Sequence, residues 1–243
     1  MRDFLVDIVA HTQALGVIDL VKITGDDKST ILESVSDDKT LVLQAKFHKP
    51  NAAFAGVYGM PNLGKLSTLL NIPEYKENAK IDVVTGPRNG VTVPTGLHFE
   101  NAVGDFKNDY RFMTTEVVNA KMKTTTFKGA TWHITMEPTI ANITRLRYQA
   151  QANSEEAYFV AKTDGADLKF YFGDHSTHAG DFVFQHAVNG KLTKGWAWPV
   201  ALFQSILNLQ GDKVIQFSDD GVAQITVDSG LIAYEYLLPA QTK

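Results

Sequence analysis

Two short segments of this 243-residue sequence hold residue types typical of chemical sites. In GMPNLGKL, Gly59 and the pair Gly64-Lys65 have the glycine and lysine spacing of a phosphate-binding loop between a strand and a helix. The following position needs a Ser or Thr hydroxyl to bind magnesium, but Leu66 stands there, at an inward position of the predicted helix. The segment therefore predicts an ordinary strand-to-helix turn instead of a nucleotide site.

The second segment, DHSTH, places His175 and His178 beside Asp174. Imidazole and carboxylate groups bind transition metals, but in a polar connection between strands this spacing does not direct both rings toward one point, so a solvated loop is favoured. The sequence has no GxSxG elbow, HExxH helix or dinucleotide-binding glycine pattern, and it has no cysteine. We therefore expect no catalytic residue, no metal and no cofactor.

The composition is that of an ordinary globular protein, with 44% hydrophobic and 21% charged residues and a formal net charge of −4. This acidic balance argues against a general electrostatic attraction to nucleic acid but allows a local basic face. Asp3 and Asp7 interrupt the opening MRDFLVDIVA, and no window approaches the 18 apolar residues of a membrane span. We expect a cytoplasmic protein without a membrane partner.

Hydrophobic periodicity predicts four helices, each followed by short alternating strands with acidic and glycine-rich turns. The predicted helices cover 2–15, 62–71, 138–150 and 199–209. The order of elements repeats, which indicates an α+β protein of two similar domains, each with two helices packed on antiparallel sheets. The predicted domains are 1–113 and 130–243. The stretch between them, 114–129, has no sustained period and is interpreted as a connector.

The outward faces of these helices are the candidate contact surfaces. In ITRLRYQA the predicted inward residues are Ile140, Ile143 and Leu146, which leaves Arg145 outward and Arg147 on the flank. Lys65 has the same outward position in the second helix. Such cations can meet phosphates, although a solvated helix face is the more frequent explanation for any one residue of this kind.

The predicted outward positions of Asp3 and Asp7 on the first helix argue against DNA contact there. The fourth helix shows mainly uncharged polar residues, namely Gln204, Ser205 and Asn208. The fourth helix therefore presents little positive charge on this face.

The whole chain resembles the DNA polymerase sliding clamps, or processivity factors, most closely the trimeric clamps of T-even-like tailed phages and more distantly PCNA. The resemblance rests on the helix-first opening MRDFLVDIVAHTQALG, the repeated helix and strand order, the connecting stretch after Met113, and the YLLPA ending. It implies a homotrimeric ring whose helices line the hole. Such a ring encircles double-stranded DNA without regard to sequence, binds a DNA polymerase and a clamp loader, and is not an enzyme. A viral chain would act in the host cytoplasm.

The resemblance also implies three sets of site residues. The residues expected to face DNA are Arg2, Lys65, Arg145, Arg147 and Lys194. The expected partner-binding pocket consists of Val117, Val118, Met122, Leu237, Leu238 and Pro239. The expected subunit interface pairs two strands with alternating aromatic residues, DYRFM and DFVFQH, through Tyr110, Phe112, Phe182 and Phe184.

Two other functions stay open at the level of sequence. One is a β-rich viral structural or assembly protein, whose duplicated sheets serve packing only. The other is an enzyme that handles a nucleotide at the lysine turn or a metal at the histidine loop.

Overall fold

The computed structural model describes residues 1–88, 90–122, 129–174 and 178–241. The chain forms two compact units. Unit 1 comprises Met1–Thr126 with Ser229–Tyr234, and unit 2 comprises Phe127–Asp228 with Glu235–Lys243. Five α-helices and fifteen β-strands lie within the described residues, with antiparallel pairing in every sheet. The prediction of an α+β protein is confirmed.

Unit 1 begins with a helix, continues with four strands, a second helix and three strands, and ends with a short third helix. These elements are α1 (Arg2–His11), β1 (Leu20–Gly25), β2 (Thr30–Val35), β3 (Val42–Phe47), β4 (Gly56–Pro61), α2 (Leu63–Asn71), β5 (Lys80–Arg88), β6 (Val91–Glu100), β7 (Lys107–Arg111) and α3 (Thr115–Lys121). The strands form one sheet in the order β4-β1-β2-β3 and another in the order β5-β6-β7.

Unit 2 repeats the plan of helix, four strands, helix and three strands after one short leading strand. Its elements are β8 (Ile134–Met136), α4 (Ile140–Ala152), β9 (Tyr158–Asp164), β10 (Asp167–Phe172), β11 (Gly180–Gln185), β12 (Trp196–Pro199), α5 (Val200–Leu207), β13 (Asp212–Ser218), β14 (Val222–Asp228) and β15 (Ile232–Pro239). The sheet orders are β11-β10-β9-β12 and β15-β14-β13-β8. The first residues of β15 are grouped with unit 1.

The first predicted helix is shorter than expected. It ends at His11 because Thr12 leaves helical geometry, with φ −127° and ψ −73°. A 3₁₀ turn over Gln13–Leu15 follows and stops at Gly16, whose φ of 76° favours glycine. The predicted inward residue Leu15 is nevertheless buried, because the 3₁₀ turn keeps it on the core side.

The predicted irregular connector contains helix α3. Thr114 caps this helix, since its Oγ1 accepts the Val117 N–H at 3.4 Å. Val118 is fully buried and packs on Gly59 of β4, where an added Cβ would lie only 2.9 Å from a Val118 methyl carbon. Gly59 therefore provides space for this helix, and tertiary packing stabilises a segment whose own pattern is weak.

Two predictions of helix faces are wrong. Ile140 is 85% exposed, because Leu146 faces the core and six residues at about 100° each rotate Ile140 about 120° away from it. Asp7 is directed inward: its Oδ2 accepts hydrogen bonds from Tyr234 Oη at 2.8 Å and Ser229 Oγ at 2.9 Å, and its Oδ1 lies 3.2 Å from His11 Nδ1. The predicted acidic obstacle to DNA at Asp7 is therefore absent.

Candidate nucleic-acid interface and partner surfaces

Helix α4 presents the best-defined basic face of the described chain. A capping box fixes its start: Thr139 Oγ1 accepts the Asn142 N–H at 3.1 Å, and Asn142 Oδ1 accepts the Thr139 N–H at 2.7 Å. Arg145 is exposed and its guanidinium lies 5.4 Å from the centre of the Phe182 ring. Arg147 is exposed and donates to Asn208 Oδ1 at 3.0 Å. Both cations are thus oriented by neighbours while open to solvent.

Lys65 lies in the first turn of α2 and is exposed, as predicted from its outward position. The side chain of Asn62 accepts the Lys65 N–H at 3.2 Å and so caps the helix. Leu66 is fully buried. The GMPNLGKL segment is therefore a capped strand-to-helix turn, with Lys65 available as a single surface cation.

Two of the residues expected to face DNA have other surroundings. Arg2 is half-buried, and its guanidinium donates to the carbonyls of Leu70 at 2.8 Å and Tyr75 at 3.2 Å, which ties α1 to the end of α2. Lys194 is exposed in the loop before β12, where its backbone N–H donates a hydrogen bond to Asp219 Oδ1 at 3.3 Å. Arg2 is a structural residue, and Lys194 belongs to a loop instead of a helix face.

The two predicted interface strands lie at sheet edges. β7 ends the order β5-β6-β7, and β11 ends the order β11-β10-β9-β12. Their aromatic side chains, however, pack inside their own units: Tyr110, Phe182 and Phe184 are buried, and Phe112 stacks on Tyr58 with ring centres 4.3 Å apart. An edge contact here would use backbone groups and the solvent-facing side chains, while these aromatic side chains support the strands from within.

Most of the expected partner-pocket residues are core residues. In unit 1, Val118 and Met122 are buried, while Val117 is 45% exposed. In unit 2, Leu237 and Leu238 are buried and Pro239 is half-buried. An exposed apolar contact from this set is therefore limited mainly to Val117.

A cavity of about 220 Å³ adjoins the start of α3 in unit 1. Its lining comes from β4, from the β5–β6 hairpin and from the residues at the start of α3, and consists of Val57, Tyr58, Arg88, Val91, Val93, Pro94, Thr114, Thr115 and Glu116. The Tyr58 hydroxyl is buried with no hydrogen-bond partner in the described chain, and burial raises its pKa far above the usual range. Sequence reasoning missed this cavity because three distant segments build it.

The histidine segment has no metal centre among the residues that are described. Asp174 and His178 are described, whereas His175 lies outside the described residues. No group of three or more His, Asp or Glu side chains in the described ranges is placed to hold a metal ion. No helix in the same ranges is long and apolar enough to cross a membrane.

No protein-family profile and no curated protein sequence matches this chain. Solved structures do match it over its whole length. The structure of A. fulgidus PCNA with the bound C-terminal region of FEN-1 aligns with a TM-score of 0.70 and 10% identity, covering 100% of this chain and 96% of that one. PCNA from Thermococcus kodakaraensis aligns with a TM-score of 0.66 and 12% identity, covering 99% and 96%.

The chain has the PCNA sliding-clamp fold. Sequence identities of 10% and 12% establish this fold alone. The clamp fold explains the duplicated order of helix, four strands, helix and three strands in the two units. A closer likeness to T-even-like phage clamps stays a prediction.

In unit 1 of the clamp fold, a small charged cluster surrounds His98 near edge strand β7. His98 Nδ1 lies 2.8 Å from Asp109 Oδ1, and its Nε2 lies 3.5 Å from Glu100 Oε2. Lys107 Nζ lies 3.0 Å from the same Glu100 oxygen. The hydrogen bond to Asp109, with a smaller contribution from Glu100, raises the pKa of His98.

The raised pKa predicts that His98 stabilises the clamp fold more strongly when it is protonated than when it is neutral. Because its folded-state pKa exceeds the unfolded value of about 6.5, the contribution is complete below that pH and is lost as the pH rises through the folded-state pKa. We expect the melting temperature of the chain to exceed that of His98→Asn by more at about pH 5.5 than at about pH 9. Asp109→Asn should show the same pattern, and a difference that does not change with pH would contradict this assignment.

Proposed function

We propose that this chain is a sliding clamp that encircles duplex DNA and tethers a DNA polymerase, so that synthesis becomes processive. The observation that carries the proposal is a clamp fold over the full chain whose helices α2 and α4 expose Lys65, Arg145 and Arg147. Contacts from such cations to phosphates give affinity without sequence preference, which allows a ring to slide. A tether of this kind needs no catalytic residue.

The proposed clamp is a closed homotrimer in which β7 of one copy pairs with β11 of the next. The support is that both strands lie at open sheet edges, one in each unit. Two different edges on one chain give head-to-tail contacts, and such contacts either close into a ring or continue as filaments. Native mass spectrometry should give three times the 26.8 kDa chain mass. A monomer that is stable at micromolar concentration would contradict the ring.

The proposed partners, a DNA polymerase and a clamp loader, dock on unit 1 at α3. Val117 is the large apolar residue that this helix exposes, and the cavity beside Tyr58 lies at the same end. A buried anchor residue can contribute about 2 kcal/mol or more to a small interface. We expect Val117→Glu to abolish polymerase stimulation and loader binding, whereas Asn119→Glu, an exposed position on the same helix, should keep both.

Primer extension tests the tether directly. With the cognate polymerase and loader, the chain should lengthen products on a singly primed circular template, and opening the circle should reduce the effect because a ring slides off free ends. Equal stimulation on circular and linear templates would contradict topological tethering. A trimer that neither loads nor stimulates synthesis would favour the structural or assembly alternative.

A further inference from the structure

Helix α4 exposes a large aromatic ring at the centre of its solvent face. Tyr148 is 65% exposed, and at about 100° per residue it lies roughly 160° around the helix from buried Leu146. Of the nearest positions on the adjacent turns, Thr144 and Ala152 carry short side chains. Much of the Tyr148 ring therefore stays open to solvent.

Two cations flank this ring. Arg145 precedes Tyr148 by three residues, about 60° to one side, and Arg147 lies about 100° to the other side. Phe182 and Asn208 orient these two guanidinium groups from other elements of unit 2. The sequence of α4, IANITRLRYQAQA, contains no acidic residue, so negative charge on a ligand meets no repulsion from the helix itself.

An aromatic ring between two cations has a specific use in nucleic-acid binding. Phosphate contacts alone require no aromatic residue, and in duplex DNA the base faces are already stacked on one another. Single-stranded DNA, in contrast, has unstacked base faces, which can stack on aromatic side chains while nearby cations bind the phosphate backbone. The exposed ring thus adds affinity for unpaired bases that the arginines do not supply.

We propose that Tyr148, with Arg145 and Arg147 on either side, is a stacking site for an unpaired base of single-stranded DNA. The site would let the chain hold the unpaired template next to a primer end as well as the duplex. This proposal rests on the proposed clamp function in one respect, because the clamp would bring DNA to α4. Single-strand binding itself requires neither a closed ring nor a polymerase.

The test measures the binding of a fluorescein-labelled oligothymidylate, and of a duplex of equal length, by fluorescence anisotropy at low salt. Tyr148→Ala should weaken single-strand affinity by about fivefold or more, the range expected for losing one base–aromatic stack. Tyr148→Phe keeps the ring and should stay within about twofold of the unchanged chain. Because neither variant removes a charge, the salt dependence and the duplex affinity should not change.

Several results would overturn the proposal. The first is that the unchanged chain shows no measurable binding of oligothymidylate. The second is that Tyr148→Ala leaves the single-strand affinity unchanged. The third is that Tyr148→Ala weakens the binding of single-stranded and duplex DNA equally, which would indicate a contact with the DNA backbone. Loss of polymerase stimulation in Tyr148→Ala with unchanged single-strand affinity would assign the ring to a protein partner instead. A second readout is photocrosslinking of an oligonucleotide containing 5-iododeoxyuridine: the crosslinked peptide should contain Tyr148, and crosslinks confined to other elements would contradict the site.

The two proposals fail in distinguishable ways. A chain that binds oligothymidylate through Tyr148 but gives no trimer and no polymerase stimulation would overturn the clamp function and keep the stacking site. Conversely, the chain could form a trimer whose stimulation of synthesis and single-strand affinity are both the same with and without the Tyr148 ring. That result would keep the clamp function and overturn the stacking site.

Discussion

Reversing Arg145, Arg147 and Lys65 together to glutamate is expected to abolish processive synthesis at moderate salt while the proposed ring stays intact. Three exposed ion pairs of up to about 1 kcal/mol each correspond to a loss of DNA affinity of up to about a hundredfold. Removing three phosphate contacts should also lower the slope of log affinity against log salt concentration by about 2.7. None of the three side chains is buried, so folding should be preserved. The measurements are salt-dependent DNA binding and primer extension on a circular template.

The matched control reverses three other exposed lysines, Lys28, Lys39 and Lys191, which lie in loops between strands. This control variant has the same net charge as the test variant, so a general repulsion of DNA would affect both equally. We expect the control to retain most of its processive synthesis. Unchanged synthesis by the test variant, or equal loss in both variants, would show that α2 and α4 do not contact DNA.

Phe170→Ala is expected to destabilise unit 2 by about 3–5 kcal/mol, the usual cost of deleting a buried aromatic ring. Phe170 is fully buried and stacks on Phe184 with ring centres 4.3 Å apart. Its ring centre also lies 4.4 Å from that of Phe159 and 5.8 Å from that of Phe182. Phe182 and Phe184 belong to edge strand β11. The space left by Phe170→Ala would therefore loosen the strand that we propose for ring closure. The proposed trimer should therefore dissociate at a lower denaturant concentration than in the unchanged chain.

Urea unfolding followed by tryptophan fluorescence measures this effect. All three tryptophans, Trp132, Trp196 and Trp198, lie in unit 2, so the signal reports that unit. The control is Tyr171→Ala, which removes the next, half-buried side chain of β10 and should cost much less than Phe170→Ala. A cost below about 1.5 kcal/mol for Phe170→Ala would mean that the surrounding rings collapse into the space.

The start or end of a helix was predictable where a single residue determines it. Pro73 prevents extension of α2 beyond Ile72, and Asn62 supplies the cap at its start. In unit 2 the turn between β9 and β10 was predictable from Asp164-Gly165, since Gly165 has a φ of 61° that favours glycine. These are local effects, and they act within a few residues of their cause.

Burial could not be predicted where it depends on a distant segment. Asp7 reads as an outward acid in an amphipathic helix, but Tyr234 and Ser229, more than 220 positions away, donate hydrogen bonds to it. Arg2 reads as a free cation, but its guanidinium bonds carbonyls near the end of α2. A polar group of this kind is satisfied only by partners that folding brings together.

The fold class and the repeated order of helices and strands were predictable from sequence patterns, which contain no recognisable catalytic or metal-binding motif. Three features depend on tertiary packing: Val118 of α3 lies buried on Gly59, the aromatic residues expected at the subunit interface belong to the core, and Ile140 and Tyr148 face solvent. The two groups of features differ in the range of the interactions that fix them. Periodicity, turns and caps depend on neighbouring residues, whereas the side of an element that is buried depends on the surface against which it packs.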